Sequence, residues 1–321
     1  MMNTSALSGF FHDVTYLVTD LGLAAARFGV LVPGAVFSTR SITLQCTDSN
    51  VSGLRSRQPI RLECAAAAVG PRGEYEIRLL HPLDDDPIFQ RSLITTGPGL
   101  HHIALRVKQI DEAAHRLAAN SLPLAELRSD EGYRCLYYRC EELGGIIELN
   151  DRPINSPALA RVGDEVRPLA SYFTQVAYVV NDVDRARSWV ETVLGCEIAT
   201  AREIVQGPSW NLKFRGKPAT NDFGIKMVIG KLGPTGDGQI ELLEPERCDN
   251  VLAEFLKDHG PGLNHVAFVV PDYHGLTAPL RSTGVPPLKE IHMPGMVHSS
   301  YFDCTGEGLS IMEVFETGPH A

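Results

Sequence analysis

The sequence predicts an α+β chain built from four copies of one β-α-β-β-β unit. Three repeats predict it. Residues 99–107 (Gly-Leu-His-His-Ile-Ala-Leu-Arg-Val) return at 262–270 as Gly-Leu-Asn-His-Val-Ala-Phe-Val-Val. The segment Asp13–Val18 returns at Gln175–Val180, and Glu76–Pro82 returns at Gln239–Pro245. Each half also closes on a strand around a glutamate, Ile147-Glu148-Leu149 and Met312-Glu313-Val314. The units therefore start near positions 11, 100, 173 and 263. At roughly 70–90 residues each, they are too long for solenoid repeats.

The third unit shows the element order most plainly. Gln175–Val180 is rich in β-branched residues and reads as a strand. Asp182 is placed to cap a helix over 183–194, and Gly195 to stop it. Strands follow at 197–205, 225–229 and 239–244, with a short one expected near 211–214. The fourth unit repeats the order at 264–270, a helix over 273–282, and strands at 288–292, 297–303 and 309–315. Pro279 is expected to disturb or shorten that helix. The first unit is the least regular. Its Ala65–Ala68 run and its Asp84–Asp86 loop have no counterparts elsewhere.

Between the halves, residues 150–169 carry three prolines and little periodicity. They set the expected division: an N-terminal pair of units over 1–155, a linker at 156–170 and a C-terminal pair over 171–321. A net charge of −10 with interspersed signs gives no basic stripe for nucleic acid and no basic amphipathic helix for a membrane surface. No apolar run approaches the ~18 residues of a membrane span. The N-terminus has neither the basic region nor the apolar core of a secretory leader, so a cytoplasmic location is expected. Seven scattered cysteines without Cys-x-x-Cys spacing fit reduced thiols, none of them a zinc ligand.

With these repeats and this unit order, the chain resembles the vicinal oxygen chelate superfamily over nearly its whole length. That group includes glyoxalase I, epimerases and extradiol ring-cleaving dioxygenases. The resemblance implies that units pair into two incomplete eight-stranded barrels, each a cup whose metal ligands come from the first and last strands of its units. Units one with two and three with four are the expected pairs. The alternative pairs one with four and two with three. The resemblance also implies the site positions: Gln175, Glu241, His265 and Glu313 in the second half, and Asp13, Arg78, His102 and Glu148 in the first. The second set resembles the ligand set of eukaryotic-type glyoxalase I and implies one divalent ion (Zn, Ni, Co or Mn).

Strand alternation supports the metal site independently. Gln175, Ala177 and Val179 share one face, while Val176, Tyr178 and Val180 form an apolar face suited to packing on a helix. Glu241 and Glu313 sit inside apolar strands, where an unpaired carboxylate costs several kcal/mol on the order of buried-ion penalties. A cation shared by both removes that cost. In the first half, Asp13, His102 and Glu148 form a second site if metal binds there too. Otherwise Arg78 carries a fixed positive charge that neutralises Glu148, or Asp13 and Glu148 together. His298 and Tyr301 are candidate substrate-binding residues.

The expected activity is that of a metal-dependent epimerase or isomerase acting on a small-molecule carbonyl substrate, such as a hydroxy-ketone or keto-cyclitol. Glu313 and Glu241 are its acid and base, moving a proton next to the carbonyl through an enediolate on the metal. One alternative is an extradiol-type dioxygenase with Fe(II), although Gln175 stands where a second histidine would complete the two-histidine, one-carboxylate face. Another is a metal-free small-molecule binding protein, for which two glutamates flanked by apolar residues have no use. A homodimer is left open.

Overall fold

The computed structural model describes residues 10–49, 58–69, 75–153, 172–198, 202–231, 238–245, 250–282 and 284–318. The whole of the expected linker at 156–170 lies outside them. Unit one comprises β1 (Phe10–Leu17), α1 (Leu21–Leu31), β2 (Ser38–Ser49), β3 (Ile60–Ala68) and β4 (Glu76–Pro82). Helix α2 (Phe89–Thr96) leads into unit two: β5 (Gly99–Arg106), α3 (Ile110–Ala118), β6 (Leu122–Ser129), β7 (Arg134–Cys140) and β8 (Gly145–Asn150). The four units begin at Phe10, Gly99, Tyr172 and Gly262, as the repeats require.

Unit three opens with β9 (Tyr172–Val179) and α4 (Val183–Trp189), which runs into a π-helical turn, Val190–Leu194. Asp182 caps α4, accepting from the Arg185 backbone N–H at 2.9 Å, and Gly195 ends the turn in the left-handed region at φ 69°. The unit continues through β10 (Glu197–Ile198), β11 (Arg202–Gln206), β12 (Lys213–Phe214), β13 (Lys217–Pro218), β14 (Phe223–Lys231) and β15 (Gln239–Pro245). After α5 (Val251–His259), unit four consists of β16 (Gly262–Val269), α6 (Tyr273–Ser282), β17 (Pro287–Met293), β18 (Val297–Asp303) and β19 (Ile311–Thr317). Pro279 does not break α6, which runs past it to Ser282 without the backbone bond that residue 279 would otherwise donate to Gly275; the Ser282 hydroxyl donates to the Pro279 carbonyl at 2.7 Å.

Units pair sequentially. The first half closes into a complete barrel in the order β1-β4-β3-β2-β6-β7-β8-β5, where an incomplete one was expected. The seam that closes it is β2 against β6. The second half stays open, running β10-β14-β15-β9-β16-β19-β18-β17-β12-β13. Here β17 stands where β6 stands in the first half, but it pairs with the β12–β13 hairpin instead. That hairpin belongs to the 207–220 segment, so β17 meets the hairpin and not the first strands after α4, and the second sheet is not closed.

Alternation sorts each strand as the sequence requires. Val176, Tyr178 and Val180 join one core with Val14, Tyr16, Phe28 and Phe268, whereas Ala177 and Val179 face the second cup. The shared core joins the halves back to back. Phe11 and Phe173 stack with ring centroids 5.4 Å apart, the Tyr16 hydroxyl meets Ser310 Oγ at 3.0 Å, and Trp189 Nε1–H donates to the Asn120 carbonyl at 3.2 Å. Gly144 sits at φ +65° with the Pro261 carbonyl oxygen 1.9 Å from where a Cβ would stand, so only glycine fits this contact.

Candidate metal centre

Four neighbouring strands, in the order β15-β9-β16-β19, bring the second-half ligand candidates together. Register explains how. Glu241 lies beside Ala177, and Ala177 beside His265. One step along the strands, Gln175 lies beside Ala267, and Ala267 beside Glu313. The two alanines leave the room into which the four longer side chains converge. Gln175 Nε2–H donates to Glu241 Oε2 at 3.0 Å. His265 Nε2 stands 3.5 Å from Glu241 Oε2 and 3.4 Å from Glu313 Oε2.

The histidine carries the fit to a metal. His265 is fully buried, and its Nε2 has no hydrogen-bond partner. The other ring nitrogen, Nδ1, lies 2.8 Å from Asn264 Oδ1. Since that oxygen only accepts, Nδ1 carries a proton, and Nε2 is the ring atom turned to the two carboxylates, a ligand for a cation once it is deprotonated. Glu241, His265 and Glu313 offer ligand atoms all within 4.8 Å of one another. An oxygen-rich set with one imidazole suits a borderline or hard divalent ion. Burial favours neutral His265, but Glu241 and Glu313 outweigh it and raise its pKa. The same field that attracts a proton there attracts a cation. Burial would raise Glu313, yet His265, the Ser299 hydroxyl (2.5 Å) and Lys289 hold it below its ordinary value.

Asn264→Ala removes the acceptor that fixes the His265 tautomer. The expected result is a loss of divalent-metal affinity of about 10–100-fold, read by calorimetric titration, with the fold intact by circular dichroism. Unchanged affinity would remove Asn264 from the site.

Tyr301 lies where expected: its ring faces His265 with centroids 4.6 Å apart. Burial, then Glu313 and Glu241, push its hydroxyl well above its ordinary value, so it remains a donor. His298 corrects the sequence reading. Alternation along β18 turns Ser299 and Tyr301 into the cup and His298 to the opposite face. There it lies against Tyr273, His274 and His292 in a separate cavity of about 600 Å³.

Lys289, overlooked in the sequence reading, also belongs to the cup. It is 3 % exposed and pairs with Tyr301 across β17 and β18, its Nζ 4.5 Å from the centre of the Tyr301 ring. Burial lowers its pKa, opposed by Glu313 and Glu241. The signal was in the repeat: Pro123-Leu124-Ala125-Glu126-Leu127 returns as Pro287-Leu288-Lys289-Glu290-Ile291.

In the first half, Asp13, His102 and Glu148 also converge, but around Arg78. Its NH2 donates to Glu148 Oε2 at 2.8 Å, and its Nε lies 3.2 Å from Asp13 Oδ1. His102 Nε2, the Tyr137 hydroxyl and Asn150 Nδ2 complete the shell of Glu148 at 3.0, 2.8 and 2.8 Å. A guanidinium thus occupies the space where the second half has room for an ion. A further cluster of His12, Asp13 and Glu76 sits beside it, with Arg106 on His12 Nε2 and Arg152 on Glu76. Its carboxylates already have cationic partners.

A sequence profile described as the glyoxalase/bleomycin resistance protein/dioxygenase superfamily matches residues 12–137 and again 174–302. No curated protein matches the chain. Among solved structures, a triply substituted 4-hydroxymandelate synthase from Streptomyces coelicolor aligns with TM-score 0.62 at 15 % identity, over 98 % of this chain and 94 % of its own. A methylmalonyl-CoA epimerase from Mycobacterium tuberculosis aligns with TM-score 0.34 at 22 % identity, over 46 % of this chain and 88 % of its own. Among the described residues, no helix is long and apolar enough to cross a membrane.

Proposed function

Because this chain belongs to the glyoxalase/bleomycin resistance protein/dioxygenase superfamily, we propose that its open second cup is the active site of a divalent-metal-dependent isomerase or epimerase. The observation that carries this reading is His265 Nε2, buried without a partner and facing two carboxylates. Gln175, Glu241, His265 and Glu313 are the residues that hold the ion, which supplies Lewis-acid polarisation of a substrate carbonyl. Identity of the metal among Zn, Ni, Co and Mn is left to assay.

The proton chemistry falls to the two glutamates. They stand on opposite sides of the β9–β16 pair, Glu241 on β15 and Glu313 on β19. A substrate seated between them presents one face of its α carbon to each. One ionised carboxylate takes the α proton; the other, having taken up a proton from solvent, delivers it to the opposite face or the neighbouring carbon, and exchange with solvent resets the pair. General acid–base catalysis of this kind contributes about 10²–10⁴-fold. Ser299, donating to Glu313 Oε1, steers Oε2 toward the centre. The Tyr301 hydroxyl is a donor for a developing oxyanion. A single histidine among these donors favours this reading over an Fe(II) dioxygenase, whose facial triad needs two.

The test is solvent-deuterium incorporation by metal-loaded protein across hydroxy-ketones, keto-cyclitols, acyl-CoA thioesters and 2-oxo acids. Label appearing on the carbon next to the carbonyl, only in the presence of metal, is the expected result. Oxygen uptake with catechols and Fe(II), without exchange on any member of the panel, would replace isomerisation by ring cleavage.

A further inference from the structure

The two halves place their cations differently. In the first, Ala125, Tyr137, Glu148, Ala104 and Asp13 form one row across β6, β7, β8, β5 and β1. The second half repeats the row as Lys289, Tyr301, Glu313, Ala267 and Gln175 across β17, β18, β19, β16 and β9. Arg78, the cation of the first cup, lies beside Thr15 on β1. The matching position beside Ala177 on β9 is Glu241. Between the copies, arginine at one position has become glutamate, and alanine at another has become lysine. The positive charge has left the metal position and reappeared on β17, two strands from β19, the strand that carries Glu313.

A lysine buried to this degree is rare unless paired. The Tyr301 ring and the glutamate charges keep it there. Charge balance then gives it a task. Glu241 and Glu313 against Lys289 leave one negative charge in excess. A divalent ion reverses this to one positive charge in excess, in an apolar cup lined by Ala177, Val179, Ile225 and Leu243. A neutral ketone leaves that charge unanswered, and a monoanion cancels it.

We propose that Lys289 is the anion-holding residue of the second cup, and that the substrate enters as a monoanion bearing a carboxylate next to the reacting carbonyl. The proposal rests on the metal-centred reading above and deepens it. The substrate spans the Tyr301 face, with its carboxylate toward Lys289 and its carbonyl oxygen toward His265. The β12–β13 hairpin pairs with β17 at Lys213–Glu290 and Phe214–Lys289, so Lys289 lies on the strand next to that hairpin. A positive charge inside the cup both attracts and orients an anionic substrate.

The test uses the full chain loaded with Mn²⁺, with pyruvate as anionic probe and hydroxyacetone as neutral probe. Binding is followed by the electron paramagnetic resonance of the bound ion and by calorimetry. The loaded wild type is expected to prefer pyruvate at least tenfold. Lys289→Met is expected to lose that preference while its Mn²⁺ affinity holds or rises, because a cation next to both glutamates has gone. Lys289→Arg, which keeps the charge, is expected to retain the preference and serves if Lys289→Met does not fold. A purely structural lysine would alter Mn²⁺ affinity and leave the pyruvate preference in place, and that result overturns the proposal. So does a wild type without preference. Failure of the wild type to bind any divalent ion would instead remove the metal-centred reading itself.

Discussion

Glu313→Gln leaves a folded chain that has lost proton transfer. The replacement keeps the shape and the Ser299 contact at 2.5 Å while deleting one of the two charges that face His265 Nε2. Two losses combine. The remaining donors hold a divalent ion more weakly, and an amide cannot accept the α proton. The rate of deuterium exchange is expected to fall by about 10²–10⁴-fold even at saturating metal, the range of a lost general base. Thermal stability without metal is expected to fall modestly, since His265, Ser299 and Lys289 favour the ionised carboxylate that the amide replaces. Exchange rate, metal affinity and melting temperature measured on the same preparation separate the two losses. Full exchange activity would take Glu313 out of the chemistry.

Arg78→Met is expected to produce the largest loss of stability. Arg78 is 3 % exposed and bridges Asp13 and Glu148, both fully buried. Breaking a buried ion pair by removing one partner costs about 3–5 kcal/mol, because the orphaned charge cannot reach water. The effect depends on pH with a definite sign. Burial would raise both carboxyls, but Arg78, with His12 for Asp13 and with His102 and Tyr137 for Glu148, holds them below their ordinary values. The stability this contributes is therefore complete above the unfolded-state values near pH 4 and is lost as pH falls through the lower folded ones. Without Arg78, burial dominates and the carboxyls rise. The gap between wild type and variant is then widest near neutral pH and narrows in acid. Urea titrations at pH 7 and pH 4 check both statements. A loss under 1 kcal/mol at pH 7 would mean that water or His102 takes over the pairing.

Repetition made the fold legible before any coordinates. Matched segments 162–165 residues apart fixed the unit boundaries, and strand alternation assigned Val176 and Tyr178 to the common core. The quartet was legible for the same reason: each member sits at a repeated position, flanked by apolar neighbours. Sequential pairing was expected and is what the sheets show; the open second seam was not legible, because it depends on whether β17 meets another strand of the sheet or the short β12–β13 hairpin. Two-residue strands such as Lys213–Phe214 carry almost no periodic signal. His298 failed for a simpler cause. It lies three residues from Tyr301, an odd spacing, and an odd spacing on a strand means opposite faces. Lys289 was readable in principle, through the altered copy of Pro123–Leu127, but a lone lysine in a polar-looking segment gives no hint of burial until the neighbouring strands are known.

The back-to-back core sets different rules for the two copies. Phe11, Tyr16, Phe173 and Trp189 hide surfaces that neither lobe alone can shelter from water. The N-terminal copy holds an arginine at its centre, yet it cannot be discarded, because it is the wall against which the other copy is built. Duplication here yields one closed half and one open half, each sheltering a surface of the other.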